Sequence, residues 1–286
     1  MIIDFCVIPP LPETLDSFGD PAGDFAAYNQ LYAGQMQLIA ALREDPHGGL
    51  LKLMDEAGVD KAVLTAEDAE TTMHMKTPNE KVAEFVKQAP DRFIGMAAVD
   101  PHKGMQALKD LEYAVKELEM KALCLEPWLH KLRSNDKRYY PINAKCVELE
   151  IPVWIHTSIN FVPSLNIDFG RPIHLDEVAG HFPELTLVAG HGGWPWVNEM
   201  MAVAWRHINV LLDISAIRPR YLATPGGGWE PLMTYGNSVL LDRIVFGTAW
   251  PMQSFKDAVD EIRSLPLKEA VMKKWLGENA RRILKI

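Results

Sequence analysis

The chain has 286 residues, 48% of them hydrophobic and 23% charged, with a formal net charge of −9. That length allows one large domain or two small ones around a substantial core, and the acidic balance without any Lys/Arg cluster excludes nucleic acid and anionic membrane as natural partners. A small-molecule substrate is the partner to expect.

Three cysteines, Cys6, Cys124 and Cys146, are too few and too scattered for a disulfide framework. The apolar run at the start has no basic segment before it and is interrupted by Asp4, and no run approaches the roughly 18 apolar residues of a membrane helix. A cytoplasmic location is expected.

The first strand is predicted over 2–7, and Pro9, Pro10 and Pro12 end it. A long connection with Gly19, Pro21 and Gly23 leads to a helix over 24–43, an insertion of the length that reaches over a site in many folds. A rhythm then sets in. Helix 50–57, stopped by Gly58, precedes strand 61–65; helix 78–88 precedes strand 93–99; helix 103–118 precedes strand 121–126; helix 141–149 precedes strand 152–157. Helix 172–181, strand 185–191, helix 195–207 and strand 209–214 follow. A helix over 230–240, a strand over 243–248 and helices over 255–264, 267–276 and 278–284 close the chain.

Eight strands, each followed by helical sequence, demand parallel pairing with crossover helices. Eight such units in about 250 residues predict a single α/β domain over 1–286, a (β/α)8 TIM barrel with a long insertion after strand one. An open doubly wound sheet is the alternative, but no Gly-x-Gly-x-x-Gly follows the first strand and no Walker pattern is present. Gly226-Gly-Gly228 has no strand in front of it.

A barrel of this kind builds its site at the C-terminal strand ends. The polar residues assigned there are Asp4 and Cys6 on strand one, Glu126 on four, His156 on five, His191 on six, Asp213 and Ser215 on seven and Thr248 on eight. Strands four, five and six are neighbours at about 4.8 Å spacing, so Glu126, His156 and His191 are expected to converge. Trp194 and Trp250 follow strand ends and, lining the mouth, favour a planar or apolar ligand. Trp196 and Trp229 are further candidates for that lining. Arg218, with Arg220 beside it, is placed to pair with a substrate carboxylate.

The motifs Ile2-Ile-Asp-Phe5, Leu125-Glu-Pro-Trp128, Arg138-Tyr-Tyr-Pro141, Glu150-Ile-Pro-Val-Trp-Ile-His156, Gly190-His-Gly-Gly-Trp-Pro-Trp196, Val245-Phe-Gly-Thr248 and Leu276-Gly-Glu-Asn-Ala280 occur in order along nearly the whole chain. Together they resemble the amidohydrolase-related family that includes aminocarboxymuconate-semialdehyde decarboxylase. That resemblance implies a barrel with a divalent metal at its mouth. By it, His156 matches the strand-five metal ligand and His191 the strand-six histidine that polarises water or substrate.

The departures are specific. The family's His-x-His after the first-strand Asp reads Cys6-Val-Ile8 here, and the Asp that ends its eighth strand is replaced by Ala249. Two readings follow. In one, His156, His191 and Glu126, with Cys6 as a soft fourth ligand, hold a displaced ion, zinc first, and lower the pKa of a bound water to about 7. In the other there is no metal, and His191 is a general acid/base oriented by Glu126 or Asp4.

The expected function is hydrolysis of a lactone, ester or amide bond in a small cyclic or aromatic acid derivative, with His191, Glu126 and Asp4 catalytic and Trp194, Trp250 and Arg218 at the substrate. Nonoxidative decarboxylation is the alternative, set back because loss of His-x-His removes the metal that acts as electron sink. A catalytically inactive barrel that binds a ligand or partner is the alternative from another class. Family barrels pair through long loops, so the resemblance also implies a homodimer.

Overall fold

The computed structural model describes residues 1–12, 14 and 42–286. The insertion after the first strand, and nearly all of the helix expected over 24–43, lie outside the described residues. The chain enters on β1 (Ile3–Val7) and returns on β2 (Lys61–Thr65). It next makes a small antiparallel hairpin, β3 (Glu67–Ala69) and β4 (Met75–Thr77), which the sequence reading did not anticipate. Six more parallel strands follow: β5 (Phe93–Ala98), β6 (Ala122–Leu125), β7 (Val153–His156), β8 (Leu187–Gly190), β9 (Val210–Asp213) and β10 (Ile244–Val245).

The strands are hydrogen-bonded in the order β1-β2-β5-β6-β7-β8-β9-β10. The ends meet: Phe5 N–H donates to the Phe246 carbonyl at 2.9 Å, Ala249 N–H to the Cys6 carbonyl at 2.8 Å and Ile8 N–H to the Trp250 carbonyl at 2.9 Å. Among the described residues closure leaves the eight-stranded sheet without an unpaired edge, and the TIM barrel follows as expected.

Alternate residues of each strand face inward. Ile3, Phe5, Val63, Met96, Trp154, Val188, Leu211 and Val245 form the interior core, while Leu64, Leu123, Val153, Leu187 and Leu212 face the helices. The helices follow local rules. Asp45 accepts from Gly48 N–H at 2.9 Å to cap Pro46–Ala57, Pro46 begins it, and Gly58 ends it at φ 70. Phe255–Arg263 buries Phe255, Ala258, Val259 and Ile262, the one-sided spacing of a helix on a sheet.

The helix expected over 267–276 runs as Glu269–Lys273 into a wider turn, Lys274–Glu278, and then Asn279–Leu284. In that wider turn the Trp275 carbonyl accepts from Phe246 N–H at 2.9 Å, joining the terminal helix to the barrel seam. Short helices at Pro127–His130 and Pro219–Leu222 were also not expected. Each opens on a proline whose fixed φ suits a first helical turn. None of the helices among the described residues is long and apolar enough to cross a membrane.

Candidate active site

The inward positions of three strands run on directly into polar residues. After Trp154 the next inward residue is His156; after Cys124 it is Glu126; after Leu211 come Asp213 and Ser215. His191 arrives differently. Gly190 ends β8 because a Cβ there would stand 2.3 Å from the Trp154 ring, and His191 follows in the left-handed region at φ 62. That turn sets its ring edge-on to His156, centroids 4.9 Å apart, and to Trp154 at 5.3 Å.

Two joined cavities open at this end. The inner chamber, about 90 Å³, is lined by Cys6, Ile8, Thr65, Glu67, Cys124, Glu126, His156, His191, Ala249 and Met252, among others. The outer groove, about 670 Å³, is lined by Phe161, Trp194, Ile217, Arg218, Tyr221 and Trp229, among others. His156, His191 and Met252 belong to both. The groove has the size of a small-molecule site, whereas the chamber admits only the reacting end of a ligand.

The tautomer of His191 follows from its partners. Its Nδ1 lies 3.1 Å from the Ser215 carbonyl, which can only accept, and 2.9 Å from Ser215 Oγ, so Nδ1 carries the hydrogen. Nε2 therefore keeps its lone pair. Ser215 Oγ in turn donates to Asp213 Oδ2 at 2.5 Å, and Asp213 also accepts from Ser215 N–H at 2.7 Å and Trp154 Nε1 at 2.7 Å. Asp213, Ser215 and His191 form one relay behind the chamber. Burial holds His191 down at about 4, pushes Asp213 up to about 6, and, with His191 alongside, puts His156 well below its ordinary value. Both imidazoles are neutral at pH 7, and His156 Nδ1 is buried without a hydrogen-bond partner among the described residues.

Glu126 and Glu67 complete the chamber's polar lining. Glu126 accepts from Trp128 Nε1 at 2.6 Å, and burial, reinforced by the nearby Glu67 charge, pushes its carboxyl up to about 8. Glu67 is pushed up to about 7, by burial first and then by Asp68. Two desolvated carboxyls so close favour holding a proton at neutral pH. Sequence reasoning missed Glu67 because strand two was ended at Thr65; continuing the inward alternation Val63, Thr65, Glu67 would have found it.

Of the residues singled out in the sequence, His156, His191, Glu126 and Cys6 meet at the inner chamber, and Trp194 and Arg218 at the outer groove. Arg218 is ion-paired there with Glu261. Two expectations are corrected. Asp4 lines neither cavity. Thr248 donates to it through N–H at 3.0 Å and hydroxyl at 2.6 Å, and Cys6 N–H at 3.2 Å, so the carboxyl ties β1 to the chain after β10. Burial raises it to about 7. Trp250 is buried and stacked on Phe255, centroids 6.0 Å apart at 3°, so it packs the fold and lines neither cavity.

The metal centre implied by the family resemblance does not fit these residues. Among the described residues no group of three or more His, Cys, Asp or Glu side chains is arranged to hold an ion. Ile8 and Ala249, at two of the family's ligand positions, carry no donor atom and line the chamber as apolar wall. Cys6, at the third, is a buried thiol pushed well above its ordinary value, as is Cys124 beside it. The expected set His156, His191, Glu126 and Cys6 thus shares a chamber without forming a cation cage.

Comparison with known proteins places the architecture. A gamma-resorcylate decarboxylase from Polaromonas sp. is 24% identical over 285 residues, covering 82% of this chain and 86% of that protein. A TIM-barrel protein from Bordetella bronchiseptica superimposes with a TM-score of 0.81 at 30% identity, covering 99% of this chain and 98% of that one. A dihydroxybenzoic acid decarboxylase from Polaromonas sp., solved with bound manganese and the inhibitor 2-nitroresorcinol, gives a TM-score of 0.72 at 21% identity, over 99% of this chain and 96% of that one. The amidohydrolase family model matches residues 29–286, nine-tenths of the sequence, and the chain belongs to the amidohydrolase family.

Proposed function

We propose that the chain is a nonoxidative decarboxylase of small hydroxylated aromatic or conjugated carboxylic acids. The observation that carries this reading is the pairing, across one chamber, of a neutral His191 with its Nε2 lone pair available and a desolvated acid pair, Glu126 and Glu67. Decarboxylation needs a group that gives a proton to carbon and another that takes one from oxygen. The decarboxylase relatives support the same choice. Hydrolysis, the leading expectation from sequence, has less support, because the relatives named above whose activity is given are decarboxylases.

The ring of the substrate lies in the aromatic groove of Trp194, Tyr221 and Trp229, with its hydroxyl and carboxylate entering the chamber. His191 Nε2 takes the hydroxyl proton. The electron pair released moves into the ring, and the carbon bearing the carboxylate takes the proton of Glu126. The bond to the carboxylate then breaks, carbon dioxide leaves, and its electron pair restores the aromatic ring and the oxyanion. His191 returns its proton to that oxygen, and water reprotonates Glu126. The apolar wall favours this course, because a carboxylate deprived of water loses stability on entering while carbon dioxide does not. The acid proton supplies the electron sink whose absence counted against decarboxylation in the sequence alone.

The test is a panel of mono- and dihydroxybenzoates and hydroxy-methoxy-isophthalates, scored by carbon dioxide release, beside a panel of lactones and esters. Release that vanishes in His191→Ala supports the reading. Lactone or ester turnover without any carbon dioxide release refutes it.

A further inference from the structure

The wall of the chamber raises a question separate from the identity of the substrate. The three positions at which the family pattern places two histidines and an aspartate, Cys6, Ile8 and Ala249, lie together on it, joined by Met252. β1, whose register shifts between Asp4 and Val7, and the chain after β10 are hydrogen-bonded on both sides of Cys6, which fixes the backbone that carries the three side chains. Ala249 even keeps a left-handed backbone at φ 51, a conformation that aspartate adopts more readily than alanine. The place is retained and its donors are gone.

We infer that this chain works without a resident divalent cation, the wall of Cys6, Ile8, Ala249 and Met252 occupying the cation's station. A divalent ion in this chamber would find no three His, Cys or Glu side chains arranged around it among the described residues, and would meet sulfur and hydrocarbon along this wall. It would shed water without gaining a closed set of ligands, which is unfavourable for a hard ion such as manganese. In the catalytic sense the inference rests on the decarboxylase reading, but the question of metal content does not.

The experiment has three arms. The untagged full-length protein, from cells grown with added manganese and zinc, is analysed for metals after gel filtration and titrated calorimetrically with Mn²⁺ and Zn²⁺. Less than about a tenth of an ion per chain and no saturable binding at the micromolar level are expected. About one ion per chain, lost in His156→Ala, would overturn the inference whatever the substrate proves to be. In the second arm the triple variant C6H/I8H/A249D, once shown by circular dichroism to be folded, is expected to take up about one manganese; a folded variant that takes up none would show that these positions are not the cause. The third arm runs the carbon dioxide assay with and without chelator. Unchanged turnover agrees with the inference, loss of turnover restored by Mn²⁺ contradicts it, and an absence of turnover on the whole panel counts against the decarboxylase reading while leaving the metal result to stand by itself.

Discussion

Replacing Glu126 by glutamine separates the proton that this side chain holds from the space it fills. The amide keeps an oxygen for Trp128 Nε1, which now donates at 2.6 Å, and occupies nearly the same volume. It cannot give up a proton to carbon. With Glu126 as the donor, kcat falls about 10²–10⁴-fold, which is about 3–5 kcal/mol on the barrier, while KM changes little. Stability moves the other way. The folded-state pKa is raised from 4.5 to about 8, so as pH rises through that window the unfolded chain releases a proton that the folded chain retains, and the wild type loses stability. Above about 8 both states are ionised and the loss is complete. The glutamine variant lacks this term. Its Tm advantage is therefore expected to grow from pH 4.5 to about 8 and then to level off, measured by thermal melts across the range beside steady-state kinetics. Parallel melting profiles, or a variant with wild-type kcat, would refute the assignment.

Ser215→Ala removes the hydroxyl that accepts from His191 and donates to Asp213, but the Ser215 carbonyl at 3.1 Å still holds Nδ1–H. The tautomer survives, so kcat is expected to fall by only about tenfold, with about 1–3 kcal/mol of stability lost because buried Asp213 loses a donor; a loss as large as that of His191→Ala would show that the hydroxyl, not the carbonyl, sets the tautomer. Arg218→Ala removes a cation from the outer groove, leaves Glu261 with Arg220 as its remaining partner, and is expected to raise KM for an acidic substrate with kcat nearly unchanged. A fall in kcat at constant KM would move Arg218 from binding into the chemistry. Gly190→Ala puts a methyl 2.3 Å from the Trp154 ring and forces that indole off Asp213, at a cost of about 1–3 kcal/mol and a changed near-ultraviolet circular dichroism spectrum. A wild-type spectrum and melting temperature would contradict the close packing at that strand end.

The alternation of short apolar runs with amphipathic helices determined the barrel by itself, because a parallel strand buried on both faces must be apolar and its crossover helix must be one-sided. The same alternation carried His156 and Glu126 to the C-terminal end, since inward positions recur every second residue. What the sequence could not decide was the use of each polar group. Asp4 sits on β1 like a catalytic acid but spends its oxygens on Thr248 and Cys6, a pairing across 244 residues that only closure of the barrel creates. Trp250 follows a strand end yet folds back on Phe255. The proton position on His191 depends on the Ser215 carbonyl, a contact between neighbouring strands, and the acid pair depends on Glu67 and Glu126 reaching one chamber from separate strands. Local pattern fixes which residues a strand offers, because it is written in nearest neighbours; burial, proton affinity and hydrogen-bond partners are set by groups distant in the chain, and only the closed barrel brings those together.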